Sequence, residues 1–252
     1  MRTLFVALYC FAPSCFAFAG QALIVADEVP AMEVLAKKLK TDEGIESKIV
    51  LQAALPADLA PFTAVIVYIH KDLNEPVEKA LIAYAKGGGK LIVLHHSISS
   101  GKRKNKEWFN FLGVTLPTGD VDKGGYKWTE GVTLDVVNLA PEHFITANKV
   151  KYPAQIAFKK PDSGAEEKML PGVTLKDSEV YLNHVLAGQR TLLLGLKCTD
   201  AKTGKTYMQT HAGWIKPAEK GQVIYLMPGH SVREFEDPTY SRIVLNAAIY
   251  QP

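Results

Sequence analysis

Apolar runs and polar breaks alternate along the chain at the lengths of strands and helices. Ala22-Leu23-Ile24-Val25-Ala26 is a short unbroken apolar run, and after Pro30 the residues Met32, Leu35, Ala36 and Leu39 recur at helical spacing. Lys48-Ile49-Val50-Leu51 and Ala64-Val65-Ile66-Val67-Tyr68-Ile69 predict two further strands. Runs that stay apolar without alternating predict strands covered on both faces. Asn74 is placed to cap a helix that carries Val77, Leu81 and Tyr84 on one face, and Gly87 to end it in the left-handed conformation. The next strand, Leu91-Ile92-Val93-Leu94, runs out into His95 and His96.

Strands alternating with helices in this way predict an α/β fold with a mostly parallel central sheet, wound by right-handed crossovers and flanked by helices. A further helix is predicted to carry Trp108, Phe109 and Leu112. From Gly113 the texture changes. Val132 to Val136 alternates, and Leu192 to Leu196 and Tyr207 to His211 flank a turn at Asp200 to Gly204, which predicts a hairpin. Residues 153–171 read as an irregular surface excursion. Gly221 to Met227 returns to a buried strand ending in Pro228-Gly229-His230. Asp237 and Pro238 then open a last helix with Tyr240, Ile243, Val244 and Ala247 on its sheet-facing side. No internal repeat interrupts this series, so residues 20–252 read as one domain.

The first 19 residues alter the expected location of the protein. Arg2 precedes an apolar stretch from Leu4 to Tyr9, and Ala17-Phe18-Ala19 supplies a small-x-small cleavage signal, the pattern of a secretory leader. Pro13 and Ser14 break the run short of the roughly 20 apolar residues of a spanning helix. A periplasmic or extracellular protein without stable membrane insertion is expected, with lipid attachment at Cys15 as the alternative. Cleavage removes Cys10 and Cys15 and leaves only Cys198, so no internal disulfide is expected in the mature chain. The formal charge of +3, or +2 without Arg2, provides no field for nucleic acid. A small, neutral partner fits this balance better.

Two strands end in imidazole, one at His95 and His96 and the other at His230. In a parallel sheet both ends lie on one edge, where open α/β folds bind ligands. The plain alternative is that each histidine serves a loop through ordinary hydrogen bonds. Asp177, Glu179 and Tyr181 alternate, so a strand would place them on one face; Glu179 can orient a histidine or act as a base. His211 and Trp214, just ahead of the last strand, are candidate walls of the site, with Tyr126 and Trp128 as similar aromatics. His143 is a weaker candidate, and His184 and His70 weaker still. The run Lys102, Arg103, Lys104 and Lys106 reads as a solvated loop. Ala26-Asp27-Glu28-Val29-Pro30 puts acids where a dinucleotide phosphate would need a free helix entry, so NAD and ATP are not expected and no cofactor is assigned. The G-x-S-x-G elbow is missing, and no ligand spacing such as H-E-x-x-H marks a metal site.

At these residues the chain resembles the trehalose-utilisation (ThuA-like) family, whose fold is related to class I glutamine amidotransferases. Gly87-Gly88-Gly89-Lys90-Leu91-Ile92-Val93-Leu94-His95-His96 is similar to the family's glycine-rich strand ending in histidine. Glu142-His143-Phe144-Ile145-Thr146 resembles its His-Pro-hydrophobic-Thr segment, with Phe144 in place of the proline. Asp177-Ser178-Glu179-Val180-Tyr181 is similar to its Asp-Glu-x-Tyr element, and the close from Trp214 to Gly229-His230 also resembles the family pattern. The resemblance implies a flavodoxin-like, amidotransferase-like sandwich without the amidotransferase cysteine, His95 and His96 lying near that nucleophile's place.

It also implies a role in carbohydrate utilisation. An exported enzyme acting on a sugar or keto-sugar is therefore expected, with His95, His96, Glu179 and His230 as the acid–base set and Asp177, Tyr181, His211 and Trp214 binding substrate. Two rivals stand beside it. One is a noncatalytic carbohydrate-binding or interaction domain; the other is a metal-dependent hydrolase in which His95, Glu179 and His230 meet one ion.

Overall fold

A computed structural model describes residues 20–161 and 164–251. The secretory leader expected over residues 1–19, with Cys15, lies outside the described residues. Ten strands form one sheet in the order β2-β1-β3-β4-β12-β11-β10-β6-β8-β7. Its first half is built from β1 (Gln21–Ala26), β2 (Glu46–Val50), β3 (Ala64–Tyr68), β4 (Lys90–Leu94) and β12 (Gly221–Leu226), all joined in parallel. Every residue of β3 is buried, as are the last five of β1 and the last four of β4, as expected of strands covered on both faces.

The covering helices are α1 (Val29–Glu43), α2 (Glu75–Lys86), α3 (Trp108–Leu112), α4 (Phe144–Ala147), α5 (Val232–Glu236) and α6 (Pro238–Ile249). In α1, Ala31, Met32, Leu35 and Leu39 form the buried stripe. In α6, Asp237 accepts the Thr239 and Tyr240 amides as a side-chain cap, while Tyr240, Ile243, Val244 and Ala247 are sealed from solvent. The crossover through α1 leads from β1 outward to β2, whereas that through α2 leads from β3 the other way to β4. With right-handed crossovers, α1 and α2 lie on opposite faces and the winding switches between β1 and β3.

Beyond β12 the sheet is antiparallel, which corrects the expectation of a mostly parallel sheet. The sheet is mixed. Strands β11 (Thr206–Ala218), β10 (Thr191–Thr199), β6 (Lys127–Asn138), β8 (Lys168–Leu182) and β7 (Ala154–Phe158) continue it by hairpin-type pairing. A short pair, β5 (Val114–Thr115) and β9 (Val185–Leu186), stands apart. The predicted hairpin is β10 with β11, and His211 and Trp214 both lie in β11, just ahead of the last strand β12. The surface excursion expected over residues 153–171 is corrected as well, since it contains β7 and the start of β8. Ile156 and Phe158 bury there against Val137, leaving an apolar pattern too short to stand out between flanking prolines. Gly87 keeps right-handed geometry (φ −74°), and Gly88 takes the turn at φ +119°.

Candidate active site

The parallel strands end on one edge, and the chain leaving each of them carries polar groups. After β4 the backbone turns sharply into a short 3-10 segment, His95–Ile98, with His95 at φ +47°. A non-glycine residue in that region is strained by roughly 1–2 kcal/mol, and such strain gathers where a side chain must be aimed. The His95 ring, fully buried, points both nitrogens at acceptors: Nδ1 lies 2.7 Å from the Met227 carbonyl and Nε2 2.9 Å from Oε2 of Glu179. A carbonyl can only accept, so Nδ1 carries a proton. Nε2 lies at hydrogen-bond distance from Oε2, and the Tyr181 hydroxyl stands 3.3 Å from the same nitrogen.

Glu179 comes from β8, across the antiparallel half. It also accepts the Tyr181 hydroxyl at 2.8 Å and faces Nδ1 of His230 at 3.5 Å. Burial pushes the Glu179 carboxyl up, but contacts from His230 and His95 outweigh it and hold the group well below the usual carboxylate range. The reciprocal effect raises His230, chiefly through Glu179 and against partial burial. His230 is positioned by Glu234, which is buried and accepts the Gly229 and His230 amides at 2.5 and 3.2 Å. Tyr68 adds a bond to the Gly229 carbonyl at 2.7 Å. His95 and His230 have ring centroids 5.6 Å apart.

His96 is separated from that carboxylate set. Its ring is 5.0 Å from that of His95 but turns toward Glu28, at 3.5 Å, and packs on His70, with centroids 4.9 Å apart. Burial holds its imidazole down to about 4, against the pull of Glu28. The alternation proposed for Asp177, Glu179 and Tyr181 breaks at Asp177, whose φ is +55° beside a bulge in the β6–β8 pairing. Asp177 is exposed and pairs with Arg233 at 2.6 Å, so only Glu179 and Tyr181 reach the His95 cluster.

His211 is buried beside His184, and burial lowers its imidazole to about 4. With Arg190 and Thr210 these two histidines line a cavity of about 500 Å³. Trp214 is sealed against Tyr225 and lies under the Arg190 guanidinium, 4.5 Å from its ring centroid, so it presents no open face to a sugar. Tyr126 stacks between Tyr181 and His184, while Trp128 is half exposed. His143 caps α4 through Nδ1, 3.1 Å from the Ile145 amide. A cavity of about 1200 Å³ opens at the opposite edge, among Gly20, Tyr84, Lys90 and Gln222, away from the His95 cluster.

The sequence reading missed Glu28 and Lys102 and underrated His70. Glu28 and His70 follow β1 and β3, the same strand-end position that singled out His95 and His230. Lys102 corrects the solvated-loop reading: its side chain is fully buried, and Nζ donates to the carbonyls of Ile69, His70 and His96 at 2.7, 2.9 and 3.1 Å.

The chain belongs to the trehalose-utilisation (ThuA) family, whose model matches residues 16–251. A ThuA-like protein from Bacteroides uniformis superposes with a TM-score of 0.60 at 19% identity, over 96% of this chain and 93% of that one. A cytoplasmic protein from Salmonella typhimurium LT2 gives a TM-score of 0.56 at 14% identity, over 90% of this chain and 98% of that one. At such identities the likeness is one of fold. No curated protein matches the sequence. Membership of the family supports a role in carbohydrate utilisation with a small sugar as partner. Among the described residues no helix is long and apolar enough to cross a membrane.

Proposed function

We propose that the protein acts on a sugar or keto-sugar by proton transfer at the His95–Glu179–His230 set. The observation that carries this reading is the 2.9 Å contact between Nε2 of His95 and Oε2 of Glu179, with a second imidazole facing the same carboxylate. His230 is the member that meets substrate, its side chain being 31% exposed against none for His95. With Nδ1 turned to Glu179, its Nε2 is free to take a proton from the carbon next to a carbonyl. The C–H electron pair then moves to the carbonyl oxygen, and the new imidazolium is stabilised by Glu179. Return of the proton to the neighbouring carbon, or to a departing oxygen, restores the resting state. An imidazole titrating near neutrality suits this exchange.

The leader pattern in residues 1–19 supports export to the periplasm or beyond, and the β2-β1-β3-β4-β12 order of the parallel half supports a flavodoxin-like, amidotransferase-like ancestry. Turnover of a panel of sugars and their keto derivatives by the mature protein tests the proposal. Activity lost in His230→Ala and Glu179→Gln supports it; sugar binding without turnover favours a binding domain.

One observation favours a second reading, that of a metal-dependent hydrolase. The ligand atoms of His95, Glu179 and His230 lie within 4.8 Å of one another. The Nδ1 contact of His95 with a backbone carbonyl is also the usual support of a metal-bound imidazole. Loss of turnover with chelator, restored by Zn²⁺, would select this reading.

A further inference from the structure

A second set of ligand-bearing residues stands beside the first. Glu28, His70 and His96 offer one ligand atom each, all within 4.8 Å of one another. Oε1 of Glu28 is 3.0 Å from Nδ1 of His70, and its Oε2 is 3.5 Å from Nε2 of His96. The three residues follow β1, β3 and β4, which brackets the point where the winding reverses and where open α/β sheets bind ligands. They come from three separate segments, so no local turn accounts for their meeting.

His96 adds an independent observation. Its side chain is 5% exposed, yet Nδ1 has no hydrogen-bond partner and Nε2 has only the Glu28 carboxylate, at 3.5 Å. A buried polar group left without a partner costs on the order of 1–3 kcal/mol. A neutral imidazole and an ionised carboxylate are the forms that bind metal. The surrounding shell is rigid: buried Lys102 ties the His70 and His96 carbonyls together, and Asp27 accepts the His70 and Lys71 amides at 2.8 and 3.1 Å. Lys102 places a positive charge behind the site, which Asp27 and Asp72 oppose.

We propose that Glu28, His70 and His96 bind a divalent transition-metal ion of the zinc type. Two imidazoles and one carboxylate form a three-ligand set that leaves a fourth position open toward solvent. Hard cations such as Mg²⁺ and Ca²⁺ prefer oxygen and are disfavoured here. The proposal does not depend on the acid–base reading of the neighbouring set.

The test is titration of chelator-stripped mature protein with Zn²⁺ by calorimetry, and with Co²⁺ by its visible ligand-field bands. The wild type is expected to bind Zn²⁺. His70→Ala and Glu28→Gln, both at exposed side chains outside the core, are expected to weaken this binding by about 100-fold. His230→Ala, which dismantles the other set, is expected to retain it. Failure of the wild type to bind, unchanged binding in His70→Ala and Glu28→Gln, or loss in His230→Ala alone would overturn the assignment.

Discussion

Nε2 of His95 lies 2.9 Å from Oε2 of Glu179 while Nδ1 of the same ring already faces the Met227 carbonyl at 2.7 Å. The buried ring is thus held between a carbonyl and a carboxylate that also faces His230. A carboxylate that bridges two imidazoles couples their protonation.

The coupling predicts how His230 titrates. Its value is raised chiefly by Glu179, so histidine NMR should find it above the ordinary 6.5, and Glu179→Gln should lower it. Since the folded value exceeds the unfolded one, the stabilisation from this pair is full below about pH 6.5 and fades as pH rises through the folded value. A His230 titration unmoved by Glu179→Gln would show that the pair is uncoupled.

Backbone strain at His95 gives a second expectation. With φ at +47°, any side chain with a Cβ is disfavoured there. His95→Gly should exceed His95→Ala in stability by about 1 kcal/mol in urea unfolding, the reverse of the usual order within a strand or helix. Equal midpoints would show the turn to be relaxed.

Acid should destabilise the fold through histidines buried in neutral form. His96 and His211 stay neutral to about 4, whereas the unfolded chain protonates them near 6.5. The unfolded state thus binds more protons as pH falls, and stability present above pH 6.5 is lost toward pH 4. The loss is on the order of 3 kcal/mol per histidine. Unfolding midpoints should drop over this range, and less steeply in His211→Gln than in the wild type.

The parallel half of the fold was legible because each buried strand is a continuous apolar run with a helix of matching stripe beside it. The antiparallel half was harder. Its long strands bulge, as between Glu130 and Leu134 opposite β8, and alternation fails at Asp177 for that reason. His95, Glu179 and His230 could be proposed together because one rule, polar residues at strand ends, found the histidines, and local alternation found the carboxylate. Glu28 and His70 stand at strand ends of the same kind and Lys102 comes from a later turn after β4, but their partnership depends on strand order, which no local pattern encodes. Trp214 was misplaced because an indole in a strand looks the same in sequence whether it lines a site or fills the core.

The glycine turn before β4 has a packing role that a substitution can expose. A Cβ on Gly221 would lie 2.3 Å from the Gly89 carbonyl oxygen and 2.4 Å from that of Ala85, both backbone atoms with little room to yield. Gly221→Ala should lower stability by about 1–3 kcal/mol without altering the titration of His230 at the far edge. Wild-type stability in this variant would mean that the β4–β12 entry is looser than its contacts indicate.

The most direct measurement of the proton-transfer reading is deuterium uptake from D₂O at the carbon beside the carbonyl of a methyl keto-glucoside, followed by NMR. The wild type should accelerate exchange over buffer, and His230→Ala and Glu179→Gln should each reduce that acceleration by about 100-fold or more while remaining folded. Exchange at the buffer rate with wild-type protein, or undiminished exchange in both variants, would contradict it.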